Sequence, residues 1–145
     1  MATERRSEVT WHGSLMEGSG RIDSSTSGKL DGFELSWPSR AESAQGKTSP
    51  EDLIAAAHAS CFAMALSHGL AQAGTPADEI HTSSAVTFQP GEGITGIVLT
   101  VRGRVPGIDE AAFREAAQTA KANCPVSLAL ACVPSIELGE ISFES

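Results

Sequence analysis

The sequence predicts an α+β fold: an intertwined homodimer in which antiparallel sheets from both chains enclose long central helices. Three observations carry this. Like elements follow like, with three short strand patterns, a helix, two more strand patterns, two helical segments and a last strand, rather than a strand–helix alternation. The stretch from Thr48 to Gly74, TSPEDLIAAAHASCFAMALSHGLAQAG, reads as a helix that is apolar on nearly its whole circumference, so most of it should be buried. A chain of 145 residues with 41% hydrophobic content makes one domain, residues 1–145, with its own core, but its few strands do not suffice to wrap such a helix. A second copy would, and the small residues Ala55, Ala56, Ala57, Ala59, Ser60 and Gly69 would let another backbone come close. A monomer whose hairpin and second helix cover the first is the competing arrangement.

Taken in order, the strand patterns lie near Glu8 to His12, Gly20 to Asp23 and Gly32 to Trp37, separated by glycine and serine turns. Trp37-Pro38 ends the third, because proline cannot extend a ladder, and a polar loop runs from Ser39 to Ser49. Ser49 suits a helix cap, Pro50 the first helical position, and Glu51 and Asp52 the positive end of the helix dipole. Gly74 suits the C-cap, with Pro76 beyond it. His81 to Phe88 and Ile94 to Val105 alternate polar and apolar residues around Gln89-Pro90-Gly91-Glu92-Gly93, which predicts a hairpin. Asp109 then caps an amphipathic helix with Ala112, Phe113, Ala116, Ala117 and Ala120 on its apolar face. Asn123-Cys124-Pro125 halts that helix, a helical turn fits Val126 to Ala131, and Ser135 to Phe143 is the last strand.

Composition narrows the function. A formal net charge of -8 argues against a nucleic-acid or anionic-membrane partner. The N-terminal MATERRSEVT has no apolar core after its arginines, so no secretory signal is expected, and the apolar run from Ala55 to Leu66 reads as too short to span a bilayer. Three cysteines outside any short paired motif fit a reducing cytoplasm. They are either reactive thiols or small core residues. A free thiol is only about 3% ionised at pH 7, and the thiolate is the nucleophile, so a redox thiol needs acidifying by about two pH units, which one close cation in a partly buried site supplies. For Cys61, deep in its helix, that cation must come from elsewhere; Arg40 is the candidate, with Glu51 placed to hold its guanidinium in a bidentate grip. Cys124, before Pro125, suits a helix N-cap whose N–H groups would acidify it directly, so residues alone leave open which thiol is the more acidic. Cys132, with nothing charged nearby, reads as packing.

The run Ser49 to Ser67 resembles the signature of the osmotically inducible protein C and organic hydroperoxide resistance family, as do Val105-Pro106-Gly107-Ile108-Asp109 and Ala120-Lys121-Ala122-Asn123-Cys124-Pro125-Val126-Ser127. The resemblance covers nearly the whole chain and lies closer to the osmotically inducible branch. It implies a thiol peroxidase that reduces organic hydroperoxides and hydrogen peroxide as an intertwined homodimer, with Cys61 the peroxidatic thiol and Cys124 the resolving one. Arg40 matches the activating arginine of that branch and Glu51 its acidic partner; the other branch carries its arginine earlier, where Arg21 is compared. An external dithiol, in this family a lipoylated protein, would restore the thiols, and no metal or organic cofactor is implied. Phe62, Met64 and Phe33 are expected to form apolar walls favouring alkyl peroxides.

Other residues have plainer readings. His58, one turn before Cys61, is expected to be a hydrogen-bonded structural histidine. His58 and His68 are about 15 Å apart along the helix, too far to share an ion. Trp11 and Trp37 are expected to pack strands. The alternative from another class is a non-catalytic dimeric module that binds an apolar ligand in the interface cleft and keeps its cysteines as packing; a general disulfide exchanger is disfavoured by the lack of a Cys-x-x-Cys.

Overall fold

In the computed structural model, which describes residues 1–145, the chain gathers into two compact units, Met1–Leu53 and Ile54–Ser145. The first holds three strands, β1 (Ser7–His12), β2 (Ser19–Ser25) and β3 (Glu34–Leu35), in one antiparallel sheet of that order, with a bulge between Glu8 and Val9. Trp11 lies across β2 at Gly20, where an added Cβ would come within 2.7 Å of the indole, so this position has room only for glycine. The expected third strand, Gly32 to Trp37, is mostly not a strand. Only Glu34 and Leu35 pair, and Ser36 then caps a short helix, α1 (Trp37–Ala41), in a reciprocal capping box with Ser39. Pro38 therefore starts a helix rather than stopping a strand: its missing N–H costs nothing in a first helical turn. Trp37 accordingly sits in a helix, not on a sheet.

The long helix α2 (Pro50–Gln72) begins as the sequence predicts, with the Ser49 hydroxyl accepting a hydrogen bond from the Asp52 N–H at 3.1 Å. It ends in a Schellman turn, where Gly74 takes φ +81° and the Thr75 N–H reaches back to the Leu70 carbonyl at 3.0 Å. Within one chain its burial is one-sided. Within the second unit one stripe at four-residue spacing, His58, Phe62, Leu66 and Leu70, is shut off from solvent, whereas Met64 on the opposite side is 71% exposed. The helix is uniformly apolar, but one chain covers only one of its faces.

With 23 residues, about 34 Å long, α2 is also long and apolar enough to cross a membrane by length and composition, contrary to the expectation from its interrupted apolar run. Its contacts are those of a core helix. Phe62, Leu66 and Leu70 join Leu99, Val101, Val105, Phe113, Ala117 and Ala120 in one apolar cluster, and the Thr82 hydroxyl donates to the Ala59 carbonyl at 2.9 Å.

The predicted hairpin is present as β4 (Glu79–Gln89) and β5 (Gly93–Arg104), antiparallel throughout, with Gly91 and Gly93 both at positive φ in its turn. Helices α3 (Glu110–Asn123) and α4 (Pro125–Ala129) follow, and the Asp109 carboxylate caps α3 by accepting from the Ala112 N–H at 2.8 Å. The last strand, β6 (Ile136–Glu144), corrects the expectation of purely antiparallel sheets. It runs parallel to β5, from Ile97 against Ile136 to Arg104 against Glu144, so β5, α3, α4 and β6 form a crossover unit in a mixed sheet of order β4-β5-β6. Phe113 seats α3 on this sheet: its ring occupies the space a side chain at Gly103 would need and tilts against Phe143 at a centroid distance of 5.4 Å.

Candidate active site

Two thiols meet in the second unit. Cys61 lies in mid-α2, one residue from the buried Phe62, and is partly exposed; Cys124 is fully buried. The position of Cys124 is set by its backbone. Its N–H still bonds the Ala120 carbonyl at 2.9 Å as the last turn of α3, but ψ swings to 125°, ending that helix, and Pro125 begins α4. The cysteine is thus both C-cap of one helix and N-cap of the next, as the Asn-Cys-Pro sequence suggested. The two thiols are near enough for each to shift the other's acidity, and neither is in a disulfide.

This nearness divides the acidity unequally. Burial pushes the Cys61 thiol up, the neighbouring Cys124 thiol pushes it further, and the Val126 N–H only partly offsets them. Burial also pushes Cys124 up, but the Cys61 thiol, the Ser127 and Val126 N–H groups and the Ser127 hydroxyl together hold it below the ordinary thiol range. The Cys124 sulfur makes no capping hydrogen bond of normal geometry, so the backbone acts on it through the nearness of N–H dipoles. Within this unit the groups around the two sulfurs favour ionisation of Cys124 over Cys61; Arg40, the cation expected to act on Cys61, belongs to the first unit.

Beneath the pair lies a contact that the sequence reading missed. His58 is 0% exposed, its Nε2 is 2.7 Å from the Ser127 Oγ, and its Nδ1 has no hydrogen-bond partner. Burial, and then the charge of Lys121, hold its pKa below the usual histidine value. His58 is therefore the hydrogen-bonded histidine expected. Ser127 had one signal in the sequence, its place three residues after Cys124 in a helix that Cys124 caps.

The first unit holds the predicted ion pair. The Arg40 Nε donates to both Glu51 carboxylate oxygens at 3.1 Å, and its Nη2 donates to Oε1 at 2.8 Å. Glu51 is nearly buried, with 8% of its side chain exposed against 31% for Arg40. This pair results from α1: because Trp37 to Ala41 is helical, Arg40 lies in its last turn rather than on a loose loop. Arg40 also borders a cavity of about 370 Å³ walled by Trp11, Leu15, Leu35, Trp37 and Pro50. Arg21 is exposed on β2, paired in register with Glu34.

Two expectations about side chains need correcting. Cys132 is exposed rather than packed, because it lies in the turn after α4 where no element covers it. Phe62 is wholly buried in the core cluster, on the covered stripe of α2, and forms no open wall; Met64 and Phe33 are exposed. No group of three or more His, Cys, Asp or Glu side chains is arranged to hold a metal ion.

A family model described as OsmC-like protein matches residues 42–139, a span that includes Glu51, Cys61 and Cys124 and begins just after Arg40. The chain is 40% identical over 133 residues to the peroxiredoxin OsmC of Escherichia coli K12, covering 90% of this chain and 92% of that one, and equally similar to its counterpart in Shigella flexneri. Among solved structures it is similar to the organic hydroperoxide resistance protein OhrB of Bacillus subtilis, with a TM-score of 0.63, 27% identity and coverage of 96% and 98% of the two chains. An organic hydroperoxide resistance protein OsmC from Legionella pneumophila shares the fold at a TM-score of 0.67 and 23% identity, over 94% and 96% of the two chains.

Proposed function

The chain belongs to the OsmC-like family, and on that premise we propose that it is a thiol-dependent peroxidase in which Cys61 attacks a hydroperoxide and Cys124 resolves the oxidised sulfur. The observation that carries the two roles is a pair of neighbouring thiols of unequal access: Cys61 is partly open and Cys124 is closed to solvent. A peroxide arriving from outside meets Cys61 first, whatever the acidity of its partner. Cys61 is raised by burial, so it needs a cation to ionise, and Arg40 is assigned to favour its thiolate as the peroxide binds.

The Cys61 thiolate then attacks the outer peroxide oxygen. The O–O bond breaks, the alkoxide takes up a proton and leaves as alcohol, and Cys61 carries a sulfenic acid. Cys124 attacks that sulfur, the hydroxide is released as water with one proton, and a Cys61–Cys124 disulfide remains. Two electrons from an external dithiol, of the lipoylated-protein class, restore both thiols. Arg40, oriented by Glu51, is assigned to steady the charge on the departing oxygen. Hydrogen peroxide is a second substrate, and alkyl hydroperoxides are preferred.

The same reading makes the molecule an intertwined homodimer. The side of α2 that carries Ala56, Ala57, Ser60, Met64 and Ser67 is open in the single chain, apolar and mostly small, which suits a second copy. The two units of the chain then work as one domain, in the cytoplasm. A non-catalytic binding module is not favoured, given relatives named as peroxiredoxins.

Steady-state consumption of an alkyl hydroperoxide with a dithiol reductant tests the roles. Cys61→Ser is expected to lose turnover altogether. Cys124→Ser is expected to react once per chain and stop, and Arg40→Ala to fall at least tenfold while remaining a dimer. Full turnover by Cys61→Ser would overturn the assignment, and unchanged turnover by Arg40→Ala would move the cation role to Arg21.

A further inference from the structure

The buried pair of His58 and Ser127 is not used by the chemistry just described, yet Ser127 stands three residues beyond the resolving cysteine in the helix that Cys124 caps. Three observations connect them. His58 Nε2 and Ser127 Oγ are 2.7 Å apart with both residues buried. Ser127 is three residues beyond Cys124 in the first turn of α4, which Cys124 caps. His58 Nδ1 is buried without a partner, and this selects a tautomer: a bare acceptor lone pair is tolerated more readily than a bare N–H donor, so the ring proton belongs on Nε2. Nε2–H then donates to the Ser127 oxygen, which leaves the Ser127 hydroxyl proton to point onward.

We propose that His58 and Ser127 are positioning residues for Cys124, forming a one-way chain of donors, Nε2–H to Oγ and O–H to Sγ, that ends on the resolving sulfur. Each donor polarises the next, so the chain favours the thiolate over the thiol at Cys124 without taking a proton itself. The Ser127 hydroxyl is among the groups that lower the Cys124 pKa. The titratable groups facing the chain are Cys61 from α2, on the sulfur, and Lys121 from α3, whose charge adds to the effect of burial in lowering the His58 pKa. The inference rests on the resolving role assigned to Cys124, but the thermodynamic part of its test does not need peroxidase activity.

The chain contains no tyrosine, so the ultraviolet absorbance of a thiolate is read without tyrosinate overlap. In the Cys61→Ser/Cys132→Ser background, where Cys124 is the remaining thiol, Ser127→Ala and His58→Leu are expected to raise the Cys124 midpoint by about one pH unit, the worth of one hydrogen bond to a charged group. Ser127→Thr and His58→Gln, which keep a donor at each place, should leave it near the parent value and guard against reading misfolding as an effect. In the protein with all three cysteines, at a pH at least one unit below the measured Cys124 midpoint, a one-unit rise cuts the thiolate fraction about tenfold, partly offset by greater nucleophilicity, so disulfide closure after Cys61 oxidation should slow about three- to fourfold in Ser127→Ala. An unchanged Cys124 midpoint in folded Ser127→Ala and His58→Leu overturns the relay. If the midpoint shifts while the wild type consumes no hydroperoxide, the relay stands and the peroxidase reading fails.

Discussion

At Cys124 the residue scale is decided by backbone: a ψ of 125° between two helices puts one sulfur among the Val126 and Ser127 amides while the rest of the residue is buried. The Asn-Cys-Pro sequence made this legible, since proline begins helices and disfavours helical backbone in the residue before it. The acidity of Cys61 was not legible, because it depends on which donors surround a sulfur after folding. The Arg40–Glu51 pair was legible as complementary residues flanking a helix start, although the short helix that places Arg40 was not. Because Glu51 is nearly buried, Arg40→Ala leaves a carboxylate without its main partner and should destabilise the fold by about 1–3 kcal/mol, below the full penalty for breaking a buried pair since Arg40 is partly exposed. Glu51→Gln in the same background should recover most of that loss in chemical denaturation. His58 gives a pH prediction. Its folded pKa lies below the unfolded value, so above about pH 6.5 it is neutral in both states and contributes no slope. As pH falls from there toward its folded pKa, the unfolded chain binds the proton first and stability drops. The melting temperature of the wild type should therefore fall more steeply between about pH 6.5 and 5 than that of His58→Gln.

Among the elements, the hairpin and α3 were readable because each repeats one pattern over ten or more residues, alternation in β4 and β5 and an amphipathic stripe in α3. The mixed sheet was not readable. Nothing local in Ile136–Glu144 says whether it pairs parallel or antiparallel; that is set by a crossover through two helices whose packing depends on Gly103. A Cβ at Gly103 would enter the Phe113 ring, lifting α3, and with it the α3–α4 junction that carries Cys124, from the sheet. Gly103→Ala should cost about 1–3 kcal/mol in urea denaturation, whereas the same change at Gly69, where a new Cβ meets nothing within the chain, should not destabilise the second unit.

For the whole molecule, the sequence argued for a second copy from the uniform apolarity of α2, and the chain leaves Met64 and its neighbours open. Sedimentation should give twice the mass of one chain, and Met64→Glu should shift it toward one. The pairing of the thiols is tested most directly by peptide mass spectrometry of the reduced protein after one equivalent of an alkyl hydroperoxide. The expected product is a single intrachain link between Cys61 and Cys124 with Cys132 still free; a sulfenic acid on Cys61 with no link to Cys124, or a link from Cys61 to Cys132 instead, would contradict it.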